Sequence, residues 1–367
     1  MLAKQEISGR EYGALIAGGT LSFGLFAFPR DLAIHAGYGT IYSMVLIYLM
    51  TAAGVWAIQR LAIMMPNQTI YEYMPRILGK WLGRAALAVL TVMYIYWLSN
   101  VLLRAADTVR VQLLRDTPLV IVQFIFILVG AYLAALGIEA LGRLCVVMVT
   151  PAVFFTITLY FMAWTNVERI ELTPLFEGNW LGIGVGACDA FYIMLGVQLA
   201  AVYVAFVRPK DRPTAARQAF TSLTALWSLF LVVLLTTVGS LGIPVVKEMI
   251  LPGIVAVNLV ELSGSLIEKL GLFILVIWTV IVITNIATVT WALSMLAAKT
   301  CGMDMAKGKF LLIPLLMTAY WVSSIQPNEE VVEGIVLPII SAVAFIGVLV
   351  MPLILLLVAK LRRRSII

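Results

Sequence analysis

Few residues in this chain carry the chemistry to hold a ligand, and most of those fall in two glycine-rich segments. The first reads Gly18-Gly19-Thr20-Leu21-Ser22-Phe23-Gly24 and the second Gly182-Ile183-Gly184-Val185-Gly186-Ala187-Cys188-Asp189. Glycine lacks a Cβ and costs about 1 kcal/mol against alanine inside a helix, so such clusters mark points where a helix opens. An opened helix frees amides at one end and carbonyls at the other, and the amide end carries a partial positive charge suited to an anionic group such as a carboxylate. Gly18, Gly19, Gly24, Gly184 and Gly186 are therefore candidate ligand-binding positions, with the hydroxyls of Thr20 and Ser22 as added donors. Close helix packing through small residues is the competing explanation.

Asp189 is the acid placed deepest in an apolar run, and burying it costs roughly 2.5–3.5 kcal/mol on insertion scales. A ligand ammonium, a cation or a proton would offset that cost; a position nearer the water interface would lower it. Further along, an apolar helix offers the polar residues Thr284, Asn285 and Thr288, with Thr284 and Thr288 on one face at i, i+4. They offer oxygens to a ligand or cation, although such side chains more often bond back to their own helix. Gln198, Asn100 and the Tyr94, Tyr96, Trp97 cluster are read as structural, with the aromatics at the outer membrane interface. His35, the single histidine, is read as a surface residue beside Asp31. Cys145, Cys188 and Cys301 have unrelated spacings and are expected to be buried free thiols. Nothing resembles a metal-ligand cluster, a phosphate loop or a nucleophile elbow, so neither an enzyme nor a cofactor is expected.

The elements that must position these residues are membrane helices. Of 367 residues, 62% are hydrophobic and 12% charged, against roughly 25% charged in soluble domains. A soluble fold this apolar would expose large patches, whereas lipid can solvate the outer faces of helices. Hydropathy places spans at about 11–34, 39–65, 82–103, 118–138, 143–165, 180–206, 215–242, 268–298, 310–326 and 335–359. The first apolar segment lacks a cleavage site and is expected to stay as the first span. The net charge of +6 resolves into a topology signal, because Lys and Arg gather in alternate connections: Arg76, Lys80 and Arg84; Arg143; Arg208 to Arg217; Lys299 to Lys309; Lys360 to Arg364. That pattern puts both termini in the cytoplasm and excludes nucleic acid as a partner. The tail Lys360–Arg364 also favours membrane lipid with anionic headgroups. Residues 243–267 are too polar and proline-broken to span and are expected to form a helical segment on the outer face.

The two glycine segments lie five spans apart, the spacing of inverted repeats with a ligand site at their discontinuous helices. The expectation is one transmembrane domain over 1–367, all-α, with about ten helices in a 5+5 inverted repeat (about 8–165 and 180–360) and spans 1 and 6 discontinuous.

Four stretches carry a resemblance to a known family. Residues 66–83 (Pro-Asn-Gln-Thr-Ile-Tyr-Glu-Tyr-Met-Pro-Arg-Ile-Leu-Gly-Lys-Trp-Leu-Gly), residues 117–143 ending Ala-Leu-Gly-Arg, residues 172–178 (Leu-Thr-Pro-Leu-Phe-Glu-Gly) and the run from Ser265 to Trp278 resemble, in order, segments of the spore-germination permease family. These are the B-type subunits of nutrient germinant receptors, within the amino acid–polyamine–organocation superfamily. The resemblance implies a leucine-transporter-like fold, a small nutrient ligand such as an amino acid, and partnership with an A-type membrane subunit and a C-type lipoprotein. It also implies the inner membrane of a dormant spore. Span 6 departs from the family: it reads Phe191 to Gln198 where many relatives carry a Pro-Phe-Gly-Glu-like run. Gln198 thus stands in place of an acid, and Asp189 is the candidate to take over that role. A proton- or sodium-coupled amino-acid transporter of the same fold is the alternative function.

Overall fold

Long apolar stretches without a polar face satisfy their backbone groups most simply as helices, since lipid offers amides and carbonyls no partners. The computed structural model describes residues 5–22, 24–168, 179–259, 270–325, 334 and 336–362. It is all-helical: among the described residues the only extended pairing is one parallel bridge between Ile7 and Val207, where Ile7 N–H donates to the Phe206 carbonyl at 2.9 Å.

The helices are α1 (Gly9–Thr20), α2 (Gly24–Ala36), α3 (Thr40–Met64), α4 (Ile70–Leu78), α5 (Lys80–Gln112), α6 (Leu119–Ala135), α7 (Ile138–Leu144) and α8 (Thr150–Met162). After residues outside the described set come α9 (Trp180–Asp189), running on through a 3-10 turn to Met194, and the helical run α10 (Val197–Phe206). The rest are α11 (Arg212–Glu248), α12 (Pro252–Asn258), α13 (Leu270–Thr300), α14 (Leu312–Ile325), α15 (Leu337–Phe345) and α16 (Met351–Leu361). Among the described residues, seven helical runs are long and apolar enough to cross a membrane, or eight if the bent pair α9–α10 counts as one span. The chain is an integral membrane protein. The count expected from hydropathy is higher because α6 has only 17 residues and α1 only 12, below the roughly 20 that one span needs.

Two helices widen in the same way. A π turn, Cys145–Val149, joins α7 to α8, and another, Ile346–Val350, joins α15 to α16. In both, a proline follows two residues after the end of the turn, Pro151 or Pro352. Proline gives no N–H to the carbonyl four residues back and its ring crowds that carbonyl, so the preceding turn relaxes to i→i+5 bonding. The N–H of Thr150 accordingly donates to Cys145 O, and that of Met351 to Ile346 O. The matched turns fall in the last helix of each expected repeat. Each packs on a broken helix: Cys145 and Val149 against Gly18 of α1, Gly347 against the Gln198 side chain of α10.

The described part of the 243–267 segment is helical. α11 kinks at Gly242, whose φ of 73° suits glycine, and continues to Glu248; α12 follows, and residues 260–267 lie outside the described set. Gly253 lies against the backbone of Phe26, and its carbonyl accepts from the Tyr160 hydroxyl at 2.9 Å. α12 thus sits against α2.

Two expectations need correcting. Tyr94 and Trp97 are not interface residues but core, meeting edge-on with ring centroids 5.9 Å apart. They sit on the face of α5 that packs against other helices, where lipid cannot reach. Of the cysteines, Cys145 alone is buried; Cys188 and Cys301 are exposed free thiols.

Candidate functional site

The first break is built where α1 stops at Thr20. Leu21 turns extended (φ −69°, ψ 120°) and its N–H closes on the Ala17 carbonyl at 3.0 Å. The helix resumes at Gly24. Carbonyls exposed by the break are held from one neighbouring helix, α13. Trp278 Nε1 donates to Ser22 O at 3.0 Å and Asn285 Nδ2 to Gly19 O at 2.8 Å. Two side chains seven residues apart, two turns of one helix, thereby fix the opened backbone.

The second break lies between Met194 and Val197, where α9 with its 3-10 extension meets α10 at 52°. Gly196 makes the turn with φ 149° and ψ −24°. A Cβ there would overlap the Gly19 carbonyl and crowd the Thr20 Cα. The two breaks therefore touch backbone to backbone, a contact that only a residue without a side chain permits.

This places the second break away from the glycine cluster that suggested it. Gly184 and Gly186 lie within the regular helix α9. A Cβ at Gly186 would meet Ala36 at 3.3 Å, at Gly182 the His35 carbonyl, and at Gly184 nothing within 4 Å. Gly182 and Gly186, one turn apart, thus serve helix packing of α9 on α2. The glycine that opens the chain, Gly196, stands alone among apolar residues and gave no cluster signal.

The other candidates divide. Gly18 lies under Cys145 Sγ and the Thr284 methyl, and Gly24 under the Tyr192 ring. Thr20 donates to Ile16 O at 2.6 Å, Thr284 to Val280 O at 2.8 Å, and Thr288 to Thr284 O at 3.0 Å. Their hydroxyl protons are thus spent on their own helices. Thr288 nonetheless faces the break, its Oγ1 3.8 Å from a Cβ placed on Gly19, beside Tyr203 Oη at 3.3 Å.

Around these breaks several buried polar atoms make no hydrogen bond of normal geometry: Asn285 Oδ1, both amide atoms of Gln198, Tyr203 Oη and Tyr71 Oη. Gln198 is only 4% exposed, and Tyr94 neighbours both it and Tyr71. An unpaired buried polar atom costs about 1–3 kcal/mol, and native proteins keep few of them. A group of them at two opened helices is the arrangement that a polar ligand or water would complete.

Across the breaks, towards the Arg30–His35 end of α2, lies a charged cluster. Asp31 is 7% exposed and accepts from the Tyr192 hydroxyl at 2.5 Å, with Arg30 and Arg104 near enough to act on it electrostatically. Arg30 Nε donates to Lys247 O at 3.1 Å. Asp189 Oδ2 stands 3.3 Å from His35 Nε2, both side chains partly exposed, and the Asp189 carbonyl accepts from the Ser341 hydroxyl. Among the described residues the most buried acid is therefore Asp31, and Asp189 lies nearer solvent. His35 partners Asp189 rather than Asp31. Asp31 escaped the sequence reading because Arg30 and His35 beside it suggested a water interface. Among the described residues no group of three His, Cys, Asp or Glu could hold a metal.

The family model described as "Spore germination protein" matches residues 6–332. Two Bacillus subtilis proteins are similar over most of their length. Spore germination protein A2 is 24% identical over 359 residues, 96% of this chain and 94% of the relative. Spore germination protein YndE is 23% identical over 310 residues, 84% and 83% of the two chains. Among solved structures, MhsT in complex with L-phenylalanine matches with a TM-score of 0.61 at 13% identity, covering 97% of this chain and 89% of its own. A substrate-bound, outward-open Na+-coupled sialic acid symporter matches with a TM-score of 0.59 at 12% identity, covering 95% and 79%. At such identities the likeness is one of fold, and that fold is leucine-transporter-like.

Proposed function

The chain belongs to the spore germination protein family, and on that footing we propose that it is the membrane subunit of a nutrient-germinant receptor. It takes a small nutrient of the amino-acid class between its two broken helices and passes the event to partner subunits, an A-type membrane protein and a C-type lipoprotein. The receptor lies in the inner membrane of the spore, both termini cytoplasmic, with ten spans when the broken and short helices are counted. The family and fold are those of permeases and transporters rather than enzymes.

The observation that carries this reading is the contact of Gly196 with the Gly19 carbonyl, flanked by unpaired buried oxygens and amides. α2 and α10 begin within a few residues of it, which brings the amide ends of both helices near, while the ends of α1 and of the 3-10 extension supply carbonyls. A zwitterion suits that pairing: carboxylate towards amides, ammonium towards carbonyls. The site then comprises Gly18, Gly19, Thr20, Ser22 and Gly24 with Thr284, Asn285 and Thr288; Gly196 and Gln198 join it, while Gly184, Gly186 and Asp189 stand on the approach from the His35 end.

The test is binding of radiolabelled amino acids to the purified chain in proteoliposomes. Gly196→Ala should abolish saturable binding, whereas Gly184→Ala, which meets open space, should leave it within about twofold. Equal effects of the two would sink the proposed site. A second reading, an ion-coupled transporter, has the fold likeness to a Na+-coupled symporter in its favour. It requires uptake against a concentration gradient when a sodium or proton gradient is imposed; the receptor reading expects binding without accumulation.

A further inference from the structure

α4 lies across the end of the bundle opposite Asp31, and its two faces differ. Ile70, Tyr71, Tyr73, Met74 and Ile77 are buried, while Glu72 and Arg76 border a cavity of about 370 Å³ shared with the start of α5 and the end of α13. Four cations line this cavity: Arg76, Lys80, Arg84 and Lys299. Its one carboxylate is already committed. Glu72 closes the N-terminal turn of α4, Oε2 accepting from Thr69 N–H at 2.8 Å and from the Thr69 hydroxyl at 3.1 Å. Among the described residues none of the four cations has an ion pair or hydrogen bond. By contrast, Arg143 pairs with Glu139 and Arg212 donates to the Asn67 side chain.

Two features say what fills the pocket. It sits at the N-terminus of α5, a helix of 33 residues entered through Gly79 at φ 96°, where unbonded amides and the helix dipole favour an anion. Beside Lys80 and Arg84, Trp81 is 85% exposed and Leu82 62% exposed. An exposed Trp–Leu pair next to unpaired cations is the signature of the headgroup layer. We propose that this cavity is a binding site for the phosphate of an anionic phospholipid headgroup, held by Arg76, Lys80, Arg84 and Lys299, with Trp81 and Leu82 against the acyl chains. A general surplus of cytoplasmic charge would spread cations along the surface; here four converge on one cavity that holds a single carboxylate.

Native mass spectrometry of the full chain, with phosphatidylglycerol titrated against phosphatidylcholine, tests this. The wild type should retain one phosphatidylglycerol at concentrations where phosphatidylcholine is lost. Arg76→Gln with Arg84→Gln should weaken that retention by about 30-fold, the effect of two juxtamembrane cations removed. The matched control, Lys210→Gln with Arg217→Gln, removes the same charge elsewhere and should change it less than about threefold. Equal loss in both doubles, or no preference between lipids, overturns the site. Inorganic pyrophosphate, added to protein in nanodiscs of mixed phosphatidylcholine and phosphatidylglycerol, separates the two sources of phosphate. If it binds in an Arg76- and Arg84-dependent way and displaces phosphatidylglycerol, the lipid assignment is overturned. All four substituted positions are exposed, and size-exclusion profiles identify any variant that fails to fold.

Discussion

Tyr192 performs two tasks with one side chain: its ring covers Gly24, and its hydroxyl donates to Asp31. Tyr192→Phe keeps the cover and removes the bond, leaving a buried carboxylate short of a donor. A hydrogen bond to a charged group is worth about 1.5–3 kcal/mol, so the thermal midpoint of the purified protein should fall by several degrees. Asp189→Asn alters only a partly exposed contact with His35, and such pairs are worth about 0–1 kcal/mol. Its midpoint should hardly move; a fall as large as that of Tyr192→Phe would show that Asp189 is the buried acid. Asp189 was legible in the sequence because an acid in an apolar run stands out. Asp31 was not, because the elements that pack on α2, namely α9, α11, α12 and the Tyr192 turn, arrive from far along the chain.

At the scale of the element, α13 acts as the splint of the first break. Asn285→Leu leaves the Gly19 carbonyl without its donor, at a cost of about 1–3 kcal/mol. Hydrogen exchange of the 18–25 peptide should then quicken by about tenfold or more. Thr284→Val should leave exchange unchanged, since that hydroxyl only returns to Val280 O. The positions of the helices themselves were readable from hydropathy, and the break in the first span from its glycines. A break in the sixth was expected as well, but its place was not readable, for a physical reason: small residues serve packing and opening equally well, and only the partner surface decides between them. At Gly186 that surface is Ala36, at Gly196 a carbonyl. The π turns had a sequence signal in Pro151 and Pro352, but a proline alone does not distinguish a widened turn from a kink.

For the whole molecule, composition and charge alternation revealed an integral membrane protein, and the ordered family segments its fold. They left open how the polar atoms near Gln198 meet, which depends on four helices converging. Orientation has a direct check in Cys301, exposed in the turn after Lys299. In a Cys188→Ser background, a membrane-impermeant maleimide should label Cys301 in inverted vesicles and not in sealed right-side-out ones. The opposite pattern would reverse the proposed topology. The Gly19–Gly196 contact also bears on how such a protein diversifies. Because it joins main chain to main chain, it places no demand on which side chains surround it. A lineage can exchange the residues lining the space and alter what is received there, while drift elsewhere carries relatives down to 23% identity. At Gly196 a single added methyl, overlapping the Gly19 carbonyl, closes that freedom.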